Sequence, residues 1–308
     1  TGLARSTVSL RLDSLLALGV IGPMTDATST GGRPSARLQL KEDAFVVGAV
    51  SFGATHAQAS LADLSGKILV SIETKRQISD GPEVCLRWMT SELKHLLAGL
   101  GIQEDRLLVI GIGVPGPVEH TTGRPANPPI MPGWDAFDIP ERVNRDLQAK
   151  VLVDNEVNMM VLGERFMNFP DVENLIFLKA ATGIGSGIIA GGILQRGADG
   201  TAGDIGHVRS LVGTDVACQC GNFGCLEAIA GAPAIIRSVN EAGLPIRNTA
   251  DLIDAARRSK VEAIRAVRQA GRDIGEVLST CVSLLNPEII VIGGSLSSAG
   301  EHLIAGIR

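Results

Sequence analysis

The chain is 308 residues long, 45% hydrophobic and 20% charged, a balance that excludes a dominantly disordered chain and predicts a globular protein of two or three domains. Glycine is abundant at 37 residues while aromatics make up 3% and tyrosine is absent, which argues for tight turns over aromatic stacking platforms for single strands. The net charge of −5 hides an uneven distribution: residues 1–41 carry five cations against two acids, so they are +3 and the remainder is −8. The basic end is the candidate for meeting phosphate.

No uninterrupted apolar run reaches membrane-spanning length, and the polar start TGLARSTVSLR does not read as a signal peptide. A cytoplasmic protein without a membrane partner is expected. Five cysteines, an odd number with three of them clustered, point to a reducing compartment. Because the chain opens inside a motif and reads as helix up to Arg308, it is expected to continue beyond both ends.

Residues Gly2 to Gly22 place Val8, Leu12, Leu15 and Leu16 at helical spacing after Ser6 or Thr7 as a cap, with Gly19 as the stop. This predicts the recognition helix of a helix-turn-helix, with Arg5, Ser6, Thr7, Ser9 and Arg11 facing DNA. Two short apolar runs, 20–24 and 36–40, flank the polar stretch TDATSTGGRPS and read as the strands of a wing. Arg33, held extended by Pro34, suits a narrow minor groove. From Phe45 the pattern becomes strand, glycine turn, alternating strand and a hairpin turn at Ser65-Gly66. An amphipathic helix over Pro82 to Leu100 precedes a buried strand, Leu107 to Val114, which ends in Pro115-Gly116-Pro117. Strand Val151 to Val153 delivers the polar cluster Asp154 to Asn158, for which helix capping is the plainer reading. Strand Leu175 to Lys179 then leads into the glycine turn Thr182-Gly183-Ile184-Gly185-Ser186-Gly187. A pair of helices follows, the longer over Ala263 to Leu285. Strand Ile289 to Ile292 ends in Gly293-Gly294.

The densest chemistry lies between Gly203 and Glu227. His207, Cys218, Cys220 and Cys225 bring imidazole and thiolates into one short loop, with Gly221 and Gly224 available for tight turns. Tetrahedral Zn2+ takes this ligand set, and four protein ligands leave no open position, so the site reads as structural. A packed cysteine core and a disulfide are the alternatives. Cys85 and Cys281 sit in apolar helical contexts and read as core residues.

The same stretch resembles the signature of the ROK family of repressors, open reading frames and sugar kinases. It reads Asp204-Ile205-Gly206-His207 followed by Cys218-Gln219-Cys220-Gly221-Asn222-Phe223-Gly224-Cys225-Leu226-Glu227. The resemblance covers essentially the whole chain. It implies an α/β, actin-like (ribonuclease H-like) two-lobed ATPase and sugar-kinase fold preceded by a truncated winged helix-turn-helix. The expected divisions are 1–41 for the DNA-binding part, 42–150 for the first lobe and 151–308 for the second lobe with its zinc loop.

Carried onto this sequence, the family's sugar-side positions are Asn155, Asp204, His207 and Glu227, with Asn127 as a further hydroxyl ligand. The nucleotide-side positions are Gly53 and Thr55 in the first turn, Thr182, Gly183 and Gly185 in the second, and Gly293 and Gly294 in the last. Departures fall on the chemical machinery. Where family kinases have a magnesium-managing aspartate the chain has Ser51, where they have glycine it has Ala54, and where they have the aspartate base it has Glu156, one methylene longer. A misplacement of about 1 Å costs on the order of a hundredfold in rate. The Gly31-Gly32-Arg33-Pro34 loop matches the regulatory branch. The expected function is therefore a sugar-responsive DNA-binding transcriptional regulator, a repressor whose degenerate kinase domain senses a sugar or sugar-phosphate effector. Its expected partners are operator DNA and a second copy, as a homodimer or homotetramer. An active ATP-dependent sugar kinase and a vestigial interaction module are the alternatives.

Overall fold

The computed structural model describes residues 4–24 and 37–308. In chain order the elements are α1 (Arg5–Ala17), β1 (Ile21–Pro23), β2 (Leu38–Leu40), β3 (Val46–Phe52), β4 (His56–Asp63), β5 (Ile68–Lys75), α2 (Pro82–Gly99), β6 (Leu107–Val114), β7 (Val118–Glu119) and β8 (Arg124–Pro125). They continue as α3 (Ile139–Asn144), β9 (Lys150–Asn155), α4 (Glu156–Asn168), β10 (Leu175–Ala180), β11 (Ile184–Ala190) and β12 (Ile193–Gln195). Then come α5 (Leu226–Ala230), α6 (Ala232–Glu241), α7 (Thr249–Arg257), α8 (Val261–Leu285), β13 (Ile289–Gly293) and α9 (Glu301–Ile307).

Two compact units result. One comprises the described residues of Thr1–Ile112 with Asp138–Val153, the other Gly113–Phe137 with Asp154–Arg308. The segment 113–137, expected with the first lobe, thus groups with the second. Each unit is built on the same strand plan. The first has a sheet in the order β5-β4-β3-β6-β9 and the second β12-β11-β10-β13, so in both an antiparallel meander of three strands gains further strands on the side of its first. β10 and β13 pair in parallel, and the helical connection between them meets the crossover length that parallel pairing needs.

In the first unit, β3 alternates buried positions with half-buried or exposed ones because successive side chains point to opposite faces of the sheet. Glycine and proline set the start of α2, with Gly81 as N-cap at φ 88° and Pro82 as its first residue. A polar network clamps α2 to the 138–153 segment. Arg142, almost fully buried, donates to Glu83 and Asp146 at 2.8 Å each, and Thr90 donates to Asp146 at 3.0 Å.

The second unit buries both faces of its sheet. Ile176, Leu178 and Ala180 of β10 point into the core shared with α5 to α8, whereas Leu175 and Phe177 point toward Val157 and Val161 of α4. Helix α8 lays Ala263, Val267, Ala270, Ile274 and Leu278 along one buried stripe at the 3-to-4-residue spacing of a packed helix. Each large aliphatic there contributes about 1.5–3 kcal/mol.

Several expectations need correcting in detail. Helix α1 begins at Arg5 after Ala4, which provides no side-chain cap, so Ser6 and Thr7 lie inside the first turn instead of capping it. Its expected apolar stripe is only partly covered among the described residues: Val8 and Leu12 are half-buried, and Leu15 and Leu16 remain exposed. The strands flanking the wing loop do form: β1 and β2 pair antiparallel, Ile21 opposite Leu40. Arg33 and its Gly-Gly-Arg-Pro loop lie outside the described residues. The expected pair of C-terminal helices is resolved into α6, α7 and α8, and the short α9 packs on α8.

Candidate functional site

The polar cluster at the end of β9 is held from within. Asp154 is buried, and its Oδ1 accepts from the Asn155 amide at 2.7 Å and Asn158 Nδ2 at 2.8 Å. Its Oδ2 accepts from Arg196 Nε at 2.8 Å, with His120 Nδ1 at 3.6 Å. Asn155 caps α4: its Oδ1 accepts from the Val157 amide at 2.8 Å while its Nδ2 donates to the Gly116 carbonyl at 3.1 Å. The capping reading of this cluster is therefore correct, and Asn155 also ties α4 to the Pro-Gly-Pro turn.

Glu156 follows in the first turn of α4. Its backbone presses on β6, where a Cβ on Gly113 would stand 3.1 Å from Glu156 Cα. Its carboxylate forms an ion pair with Lys179 Nζ. Only 7% of the Glu156 side chain and 13% of the Lys179 side chain are exposed. Lys179 lies on β10 between two glycines, Gly185 across the antiparallel pairing and Gly293 across the parallel one. The space over both glycines is filled by other side chains: a Cβ on Gly293 would stand 2.3 Å from the Phe177 ring, and one on Gly185 3.4 Å from Val157 Cγ2.

The expected glycine turn is shorter than the sequence suggests: residues 181–183 make the hairpin joining β10 to β11, and Ile184 to Gly187 already belong to β11, paired with β10. The Ile184 amide already donates to Glu227 Oε2 at 3.0 Å, and a Cβ on Gly183 would meet that oxygen at 2.7 Å. One amide expected to face phosphate is thus taken by the protein's own carboxylate. Gly294, at φ 84°, follows β13 so closely on Ala180 that a Cβ would sit 2.4 Å from its carbonyl oxygen. In the first unit, the Ser51-Phe52-Gly53-Ala54-Thr55 turn closes with the Gly53 amide donating to the His56 carbonyl at 2.8 Å. The His56 ring covers the face of Gly53, where a Cβ would lie 2.6 Å from it. Thr55 is exposed.

Asp204 and His207 lie around a short turn pressed on β11. A Cβ on Gly206 would stand 2.1 Å from the Ile184 carbonyl oxygen, so only glycine lets this turn approach. Ile205 is buried between the two polar residues. Asp204 keeps an exposed edge, yet desolvation by the surrounding chain raises its carboxyl above the usual range, opposed by His207. Burial likewise raises Glu227, opposed chiefly by the Ile184 amide and by His207, while the charge of Asp204 adds to the rise and that of Lys179 opposes it. Asp204, His207, Glu227 and Lys179 therefore share one electrostatic neighbourhood. Asn127 sits on an exposed turn at φ 45°, its amide donating to Asp135 Oδ1 at 2.7 Å.

The loop between His207 and Glu227 brings four ligand atoms together. The nitrogen of His207 and the sulfurs of Cys218, Cys220 and Cys225 all lie within 4.8 Å of one another. His207 Nδ1 and Cys218 Sγ are 3.6 Å apart, and Cys220 and Cys225 Sγ are 3.7 Å apart. Ligands at about 2.3 Å for sulfur and about 2.0 Å for nitrogen subtend edges of roughly this length around a tetrahedral ion. The disulfide alternative fails, since all three cysteines are free. Backbone bonds build the knuckle: the Cys218 amide donates to the Asn222 carbonyl at 2.8 Å and the Gly221 amide to the Cys218 carbonyl at 3.0 Å. Burial pushes the Cys225 thiol up to about 12 and Cys218 upward. At Cys220 burial acts the same way, but hydrogen bonds from Asn222 and the neighbouring thiols outweigh it and lower its pKa. A cation among them would favour the thiolates.

On α1, Arg5, Ser6, Ser9 and Arg11 are exposed and Thr7 is half-buried. Sequence reasoning missed Lys179, Arg196 and His120. Lys179 carried a signal, a single charge in the apolar strand Leu175–Ala180, which needs a partner to be buried.

The sequence pattern of the ROK family matches residues 47–308. The chain belongs to the ROK family. Among its relatives, the xylose repressor of Caldicellulosiruptor bescii is 28% identical over 99% of this chain and 80% of its own. The glucokinase of Halalkalibacterium halodurans is 30% identical over 86% of this chain and 84% of its own. A crystal structure of a ROK family transcriptional regulator, described as a homologue of the Escherichia coli MLC protein, superposes with a TM-score of 0.84 at 24% identity, over 99% of this chain and 79% of that one. The fold is thus the actin-like sugar-kinase fold of ROK regulators and kinases. Both repressors and glucokinases are among the relatives, and no helix among the described residues is long and apolar enough to cross a membrane.

Proposed function

We propose that this ROK chain is a sugar-responsive, DNA-binding transcriptional repressor whose kinase-like part senses its effector without turning it over. The observation that carries this reading is the buried Glu156–Lys179 pair: the carboxylate at the base position is held by an ammonium instead of standing free to accept a hydroxyl proton. Two more features agree. Glu227 takes the Ile184 amide of the second glycine turn, and Ser51 supplies no carboxylate for magnesium. The groups proposed to meet sugar hydroxyls, Asp204, His207 and Glu227, remain one cluster, with Asn155 and Asn127 as further contacts. Alignment extent points the same way. The repressor match spans 99% of the chain and so takes in α1 and the β1–β2 pair, whereas the glucokinase match spans 86%.

In this reading His207, Cys218, Cys220 and Cys225 hold a structural zinc, which ties the loop carrying His207 to the N-terminus of α5 carrying Glu227. Arg5, Ser6, Thr7, Ser9 and Arg11 of α1 face operator DNA, and Arg33 enters the minor groove. The protein works in the cytoplasm as a symmetric dimer on a pseudo-palindrome, because one small domain contacts few phosphates and pairing half-sites supplies the affinity.

A coupled assay for ADP, run with ATP, magnesium and a panel of hexoses and pentoses, separates sensing from the second reading, an active sugar kinase. That second reading is favoured by the glucokinase relative at 30% identity. The sensor reading expects no turnover but a calorimetric signal with one of the sugars. Turnover on the order of 1 per second or faster would establish the kinase instead.

A further inference from the structure

Asp154 divides its two oxygens between different parts of the chain. Oδ1 is engaged at its own junction, accepting from the Asn155 amide and from Asn158 Nδ2. Oδ2 accepts from Arg196 Nε at 2.8 Å, 42 residues away, and lies 3.6 Å from His120 Nδ1 on the turn between β7 and β8. The Asp154 side chain is 4% exposed and that of Arg196 27%. A buried carboxylate needs a partner for its charge, and a charge-assisted bond of this length fixes Arg196 more firmly than a surface pair would.

Arg196 opens the loop that ends at Asp204. The loop closes on itself, the Ala202 amide donating to the Arg196 carbonyl at 3.1 Å and the Asp204 amide to the Thr201 carbonyl at 3.2 Å. It is pressed on β7, where a Cβ on Gly200, at φ 73°, would stand 2.3 Å from the Val118 carbonyl oxygen. Gly203 then anchors it to β11, its carbonyl accepting from both the amide and the hydroxyl of Ser186 at 2.8 Å each. Beside Asp154, Asn155 donates to the Gly116 carbonyl at 3.1 Å. Three segments distant in sequence therefore meet around Asp154: the start of α4 with Asn155, the 113–137 segment with Asn127, and the loop leading to Asp204 and His207.

Resting on the sensor reading above, we propose that Arg196 is a positioning residue for the effector: through Asp154 it holds these three segments in register, so that their sugar-facing groups bind as one set. Arg196 need not touch the sugar in this role. Groups that have to be ordered at the moment of binding lower the affinity by the cost of ordering them, and a supporting ion pair removes that cost beforehand.

Two variants of the full chain test this. Arg196→Met keeps an apolar stem and takes the guanidinium from Asp154, whereas Asp154→Asn/Arg196→Met removes both charges, so that no buried carboxylate is left unpaired. Melting temperatures establish that each variant is folded, and that of the double variant is expected to recover toward the wild type. Calorimetry with a panel of neutral aldohexoses and aldopentoses reads the effector site. Both variants are expected to bind the responding aldose at least about tenfold more weakly than the wild type. A role in stability alone predicts otherwise: the double variant would regain affinity together with its melting temperature, and that result overturns the proposal. Backbone hydrogen exchange, which needs no sugar, is the second measurement. In Arg196→Met, exchange is expected to quicken at Ala126 and Asn127 as well as at Asp204 and Ile205, whose amides are all hydrogen-bonded in the wild type. Acceleration confined to residues 194–198 overturns the proposal. If no aldose binds the wild type, the sensor reading falls, while the exchange pattern still upholds or overturns the coupling of the three segments.

Discussion

Cys218 and Asn155 make the most direct tests at the level of single residues. Cys218→Ser removes one of four ligands gathered within 4.8 Å, and a structural site that loses a thiolate loses most of its metal affinity. Elemental analysis should give one zinc per chain in the wild type and a clear deficit in Cys218→Ser, with a lowered melting temperature. Unchanged zinc content would remove the metal from the account. Asn155 is both N-cap of α4 and a link to the Gly116 carbonyl. Replacing it with alanine should cost about 1 kcal/mol of stability for the lost cap and abolish the calorimetric response to sugar. If the stability falls while sugar binding is kept, Asn155 is a cap and nothing more.

Two tight features set expectations for whole elements. Gly206 lets the Asp204–His207 turn lie on β11, where a Cβ would come within 2.1 Å of the Ile184 oxygen. Gly206→Ala should therefore cost roughly 1–3 kcal/mol by forced displacement and weaken sugar binding, which urea melts and calorimetry read together. The second feature is the Glu83–Arg142–Asp146–Thr90 network that joins α2 to α3. The hydrogen bond from Arg142, more than any other cause, holds the Asp146 carboxyl below its usual range. A carboxylate with a depressed folded-state pKa stabilises fully above its unfolded value near about 4, and that contribution is lost as pH falls through the folded value. Urea melts from pH 5 downward should show stability declining, with a shallower decline in Asp146→Asn.

Legibility at this scale followed contact range. The run Leu175 to Lys179 is apolar and short, so β10 could be read from composition, and α8 could be read from its stripe. The motif loop was legible because its ligands are close in sequence. The partners of Lys179 and Asp154 were not, since Glu156 lies 23 residues from Lys179 and Arg196 lies 42 residues from Asp154. No local pattern encodes such pairings. The first turn of α1 misled for another reason: Ser6 and Thr7 resemble caps in composition, but Ala4 holds the extended N-cap conformation.

Across the molecule, a basic N-terminal segment precedes an acidic remainder that carries the proposed sugar site. Arg11 is exposed on α1; Arg11→Ala should weaken operator binding and, if it meets a phosphate, lower the salt slope by about one. An effect confined to one base position would make it a base contact instead. Repression that responds to sugar requires the two binding events to be coupled, and coupling between equilibrium affinities is reciprocal. The decisive measurement is a calorimetric titration of the effector sugar into the full chain, with and without saturating operator DNA. The account predicts that operator changes the sugar affinity by the same factor as sugar changes the operator affinity. Identical sugar affinities in the two titrations would contradict it.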